Sequence, residues 1–143
     1  MINYCRGALI LAGFISGLAA AWHLMMIVGG PTWYEFARAP HYIVTSARND
    51  TLTAPLSAIL ISVLMFTCSA YAFSGAGLIK KVPLVSLALP VISLICLTRA
   101  IYISPLFFPM SRLDTWNQVA SSVWGLVGIC FLLGALLPRL TQK

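Results

Sequence analysis

Four stretches of this chain run for about twenty residues each with almost no charge: 7–28, 54–73, 82–103 and 116–137. Crossing roughly 30 Å of hydrocarbon takes about 20 apolar residues in a helix. The first, second and fourth stretches contain no Lys, Arg, Asp or Glu, and the third contains only Arg99. Apolar residues are continuous within each stretch and do not alternate. That favours helices over the strands of a barrel, whose faces change at every residue. The expected fold is therefore an all-α integral membrane protein. It is a single domain, an antiparallel bundle of four transmembrane helices running up and down. The short turn 74–83 makes the second and third spans a hairpin.

Composition supports the same solvent. Charged residues make up 8% of the 143 residues and hydrophobic ones 60%, with a mean hydropathy of +0.94. A soluble domain carries about 25% charge. The net charge of +6 comes from cations placed singly along the chain, not clustered as a nucleic-acid surface requires. No nucleic-acid partner is expected; anchoring at an anionic membrane face accounts for the cations. With the N-terminus inside, Arg6, Lys80, Lys81, Arg139 and Lys143 are cytoplasmic, while Arg38, Arg48 and Arg112 lie outside with all three acids. The positive-inside rule favours that orientation, which puts both termini in the cytoplasm of a bacterial inner-membrane protein. The first 21 residues imitate a secretory signal. The apolar run continues through Trp22 to Val28, however, and reads as a retained span.

Small residues mark candidate helix contacts. Gly13, Gly17 and Ala21 form a ridge at every fourth position of the first span, and Ser121 and Gly125 do so in the fourth. Pro90 should bend the third span, because it cannot donate the helical hydrogen bond. Cys5, Cys68, Cys96 and Cys130 have no C-x-x-C spacing and read as small apolar residues.

The first loop, 29–53, is longer than a helix connection needs. Gly29 and Gly30 stop the first helix, and Thr32-x-x-Glu35 has the spacing of a capping box. A short amphipathic helix over 33–39 follows, with Glu35 and Arg38 three apart on its wet side and Trp33, Phe36 and Tyr34 as its candidate interface aromatics. His41 to Arg48 are expected to start another turn, with Thr53 capping the second span. The loop reads as a structured lid on the outer side.

The polar residues gather toward that same end. Candidate ligand- or partner-binding residues are His23, Trp33, Glu35, Arg38, His41, Arg99, Asp114, Asn117 and Trp124. Arg99 either reaches the headgroups or holds an anionic or carbonyl group. On the fourth span Asn117, Ser121, Trp124 and Gly128 share one arc, suited to a packing seam or to the wall of a pocket. His23 and His41 are not placed as a pair of axial haem ligands. No catalytic residues, metal ligands or cofactor are expected. No span carries Asp or Glu, and no G-x-S-x-G, H-E-x-x-H or phosphate-loop motif occurs. These features predict a non-enzymatic interaction protein: an accessory subunit, assembly factor or immunity-type protein contacting a membrane-protein partner or a second copy. The alternative is a lipid- or amphiphile-binding or transport protein, with bound lipid in an outward pocket lined by His23, Arg99, Asn117 and Trp124.

Overall fold

The computed structural model describes residues 2–102 and 115–136. All regular structure among them is helical: α1 (Ile2–Gly29), α2 (Pro31–Phe36), α3 (His41–Arg48), α4 (Thr53–Gly75), α5 (Val85–Tyr102) and α6 (Thr115–Ala135). Three helices, α1, α4 and α6, are long and apolar enough to cross a membrane. The fourth, α5, is apolar but shorter. At 1.5 Å per residue its 18 residues span about 27 Å. The expected start at 82 gives way to Val85, because Leu84 adopts a left-handed φ of 61° and Val82 donates its N–H to Ser74 Oγ (2.8 Å). Pro90 lies inside α5 and is exposed, so the Ser86 carbonyl is left without its helical donor.

Two compact units contain the described residues. One, the α5–α6 unit, holds residues 2–15, 68–102 and 115–136; the other, the α2–α3 unit, is Ser16–Thr67. Both α1 and α4 contribute to each.

The α5–α6 unit has a core drawn from four helices and their ends: Leu9, Ala12, Ala72, Ala76, Leu89, Ile92, Cys96, Val127, Cys130 and Phe131. Small residues let the backbones approach. Ser69 Oγ donates to the Gly13 carbonyl (2.8 Å), and Ser93 Oγ donates to that of Gly128 (2.7 Å). At Gly128 there is no room for a side chain, since an added Cβ would stand 2.8 Å from Leu97 Cγ and 3.1 Å from its backbone nitrogen. Gly128 faces Leu97 and Gly125 faces Ala100, so α5 and α6 run antiparallel. Phe14 meets Phe73 edge-on, with ring centroids 5.3 Å apart.

The core of the α2–α3 unit is smaller: Met26, Tyr34, Ile43, Ala54 and Ala58, one or two from each of its helices. Here the hydroxyl of Ser62 donates to the Ala20 carbonyl (2.9 Å). The α1 ridge differs from the one expected. Its buried small residues are Ala12, Gly13, Ser16 and Ala20, and Ala21 is exposed. A strict spacing of four drifts around the helix by about 40° per step, whereas alternating three and four nearly holds one face.

Candidate functional site

The first loop folds as two short helices. Gly30 takes a φ of 69°, which reverses the chain after α1, and Pro31 starts α2 at its first position, where no helical N–H is needed. Thr32 is therefore inside the helix and its hydroxyl points back to the Gly29 carbonyl (3.4 Å). The expected capping box is absent, since Gly30 occupies the cap position and makes no side-chain hydrogen bond. Glu35 instead forms an ion pair with Arg48 at the end of α3. Arg38, the partner expected from spacing, turns the chain out of α2 with a φ of 55°.

Aromatic rings hold α2 against α1. Trp33 stacks on Trp22 with centroids 5.1 Å apart and planes 28° from parallel, and Phe36 lies 6.1 Å from the same ring. Tyr34 is the most deeply buried large side chain of this loop, at 3% exposure, and its hydroxyl has no hydrogen-bond partner. Burial pushes its phenol above the ordinary value, because the anion would be desolvated.

The junction into α4 is organised by Ser46, a residue the sequence reading passed over. Its hydroxyl accepts the Ala54 N–H (2.9 Å) and lies 2.6 Å from Thr51 Oγ1. Ser46, not Thr53, thus satisfies an open donor at the start of α4. No local signal marks it, because the contact needs the reversal at Asp50, whose φ is 50°.

Both histidines are engaged within their own helices. His23 Nδ1 donates to the Ala19 carbonyl (2.8 Å), which in the neutral ring leaves Nε2 as an acceptor. His41 Nδ1 is hydrogen-bonded to Thr45 Oγ1 (3.4 Å) and is exposed. Ser16, seven residues before His23, is fully buried and its hydroxyl has no partner. Among the described residues, no three His, Cys, Asp or Glu side chains are grouped as metal ligands.

The remaining candidates belong to the α5–α6 unit, except that Asp114 lies outside the described residues. Trp124 packs against the main core, and Ser121 and Gly128 on the same arc of α6 are buried. Asn117, one turn before Ser121, is half-buried. Arg99 follows Leu89, Ile92 and Cys96 along the buried stripe of α5, and its Nη1 is buried with no hydrogen-bond partner. The candidates therefore form no single cluster within either unit: Trp33 joins Trp22, Glu35 joins Arg48, and Arg99 shares its unit with Asn117 and Trp124.

Compared with known protein families, curated proteins and solved structures, the chain matches none.

Proposed function

We propose that this chain is a four-span antiparallel bundle of a bacterial inner membrane, with both termini in the cytoplasm, that works by binding another membrane protein. The first loop is the docking element. One observation carries this reading: the loop is packed through Tyr34 and Ile43 into a core shared with α1 and α4 and is tied by a cross-helix ion pair, yet holds Phe36, Tyr42 and Leu52 at 61%, 66% and 73% exposure. An ordered segment that displays large apolar and aromatic groups outside the spanning helices has the character of an interface core. Within the same unit, α4 adds an apolar flank of Leu56, Leu60, Val63 and Leu64, all exposed. A partner seated on the loop would cover its aromatics, and lipid or the same partner would cover the flank.

The test is site-specific photocrosslinking in native membranes. A benzophenone side chain at position 42 or 52 is expected to trap one discrete protein species, while the same group at Lys80 traps none. If all of these positions yield only lipid adducts or uncrosslinked monomer, the interaction reading fails.

A further inference from the structure

Four serines of the α5–α6 unit are buried: Ser69, Ser74, Ser93 and Ser121. The first three hydroxyls are bonded to backbone groups: Ser69 to Gly13, Ser74 to Lys80 and Val82, and Ser93 to Gly128. Ser121 is the exception, 7% exposed with its hydroxyl unpartnered. Buried polar groups are satisfied as a rule, and an unmet one costs about 1–3 kcal/mol, so the exception calls for a physical reason.

The other buried side-chain atom without a partner in this unit is Nη1 of Arg99. The helix pairing brings the two residues to the same end of α5 and α6. Gly125 faces Ala100, as an added Cβ would stand 3.5 Å from the Ala100 Cβ. Ser121 is one turn from Gly125 toward that end, and Arg99 adjoins Ala100. Asn117 follows one turn further along the same arc of α6, half-buried. A guanidinium is always charged and has five donors with no acceptor. No acid among the described residues belongs to this unit, since Glu35 and Asp50 both fall in the other.

We infer that Arg99 and Ser121 form a binding site for an oxyanion of the phosphate-ester class, the guanidinium supplying charge and a two-pronged set of donors and the hydroxyl a further donor. In an apolar surrounding, such a ligand satisfies both unmet groups at once and neutralises the cation carried by the apolar helix α5. The site is narrower than the pocket expected from sequence. It needs neither His23, whose Nδ1 is taken by Ala19, nor the loop, and it stands or falls separately from partner docking. The source of the phosphate is either a phospholipid headgroup or a free anion.

Native mass spectrometry of the full chain in a neutral detergent distinguishes them. The probes are a short-chain phosphatidylglycerol, the corresponding diacylglycerol without phosphate, and inorganic phosphate. The wild type is expected to retain one phosphatidylglycerol per chain and no diacylglycerol. Arg99→Gln should weaken retention by about tenfold or more and Ser121→Ala by about threefold, the sizes of a charged and a neutral hydrogen bond. Arg99→Lys should fall between the wild type and Arg99→Gln, keeping charge but losing the fork. Competition by inorganic phosphate, abolished in Arg99→Gln, identifies the free anion as sufficient; retention of the lipid alone identifies the headgroup. The inference is overturned if wild type binds neither phosphate species, if diacylglycerol binds equally well, or if Ser121→Ala and Arg99→Lys, folded by thermal melting, both bind like wild type.

Discussion

The two units bury themselves by different means, although α1 and α4 serve both. In the α5–α6 unit, four chain segments meet around Leu9, Leu89 and Phe131, and contact depends on small residues such as Gly128 that let helices touch. In the α2–α3 unit the core is Met26, Tyr34, Ile43 and two alanines, closed over by short helices and a tryptophan stack. Bulky aliphatics along α4 there stay uncovered, Leu56, Leu60 and Leu64 being 59%, 62% and 58% exposed. The α5–α6 unit leaves apolar surface for lipid as well, Leu87, Leu94 and Ile95 of α5 all being exposed, so the two units differ in how their cores are closed and not in whether their outer faces are covered. Substitutions in a core and on an outer face should therefore separate stability from association.

The largest effect is expected where that division is sharpest. Gly128→Val places methyl groups against the Leu97 side chain and backbone, and α5 must move away from α6. Overpacking of this kind costs about 1–3 kcal/mol and occasionally more. It should lower the thermal midpoint in detergent and also weaken the Ser93 hydrogen bond to the Gly128 carbonyl. Leu60→Ser, on the exposed face of α4, should leave the midpoint nearly unchanged. Equal losses at both positions would erase the distinction between core and outer face.

How much of this was legible beforehand follows the same line. Helices α1, α4 and α6 announce themselves, because twenty uncharged residues in a row admit few other structures in lipid. The arc Asn117, Ser121, Trp124 and Gly128 was also visible, since helical periodicity alone defines it and the structure turns it inward. What stayed hidden depended on partners distant in sequence. Glu35 finds Arg48 thirteen residues away, and Ser46 reaches the start of α4 only after the chain has turned at Asp50. The capping box failed for a local reason, competition: Pro31 needs no N–H and takes the first helical position, which leaves Thr32 nothing to cap. At the candidate site, the type and rough depth of Arg99 could be read from one isolated cation in an apolar run, but not that its Nη1 and the Ser121 hydroxyl, toward the same end of the helix pair, are both unsatisfied.

A smaller effect, of the opposite sign, is expected in the α2–α3 unit. Tyr34→Phe keeps the ring that fills the core and removes a hydroxyl that has no partner. It should stabilise the unit by about 1 kcal/mol, the low end of what an unmet buried polar group costs. The phenol also makes the unit sensitive to alkali. Its folded-state value is raised above 10.0, so its contribution to stability is complete below that pH and declines as pH climbs toward the folded value. Hydrogen exchange of the 31–48 segment should accelerate above about pH 10 relative to its intrinsic rate in the wild type and less so in Tyr34→Phe. A variant with an unchanged alkaline profile would mean that the ring, and not its ionisation, governs the opening of the loop.

The finest comparison uses a device that recurs in both units. Ser69 donates to the carbonyl of Gly13 in one, and Ser62 donates to that of Ala20 in the other, the pairs being displaced by seven residues on each helix. A hydrogen bond between apolar helices is worth about 0.6 kcal/mol on average, because the separated helix finds other acceptors. Ser69→Ala and Ser62→Ala should each lose about that much, measured by reversible unfolding in mixed detergent. Seven residues correspond to about 10 Å along a helix, far enough for the double variant to show simple addition. The surroundings still differ, since beside Ser69 lies a closed core while beside Ser62 the neighbouring faces of α4 are bare. If Ser62→Ala costs nothing and Ser69→Ala the full amount, the register of α1 against α4 is set by the close packing near Gly13 and merely followed at Ala20.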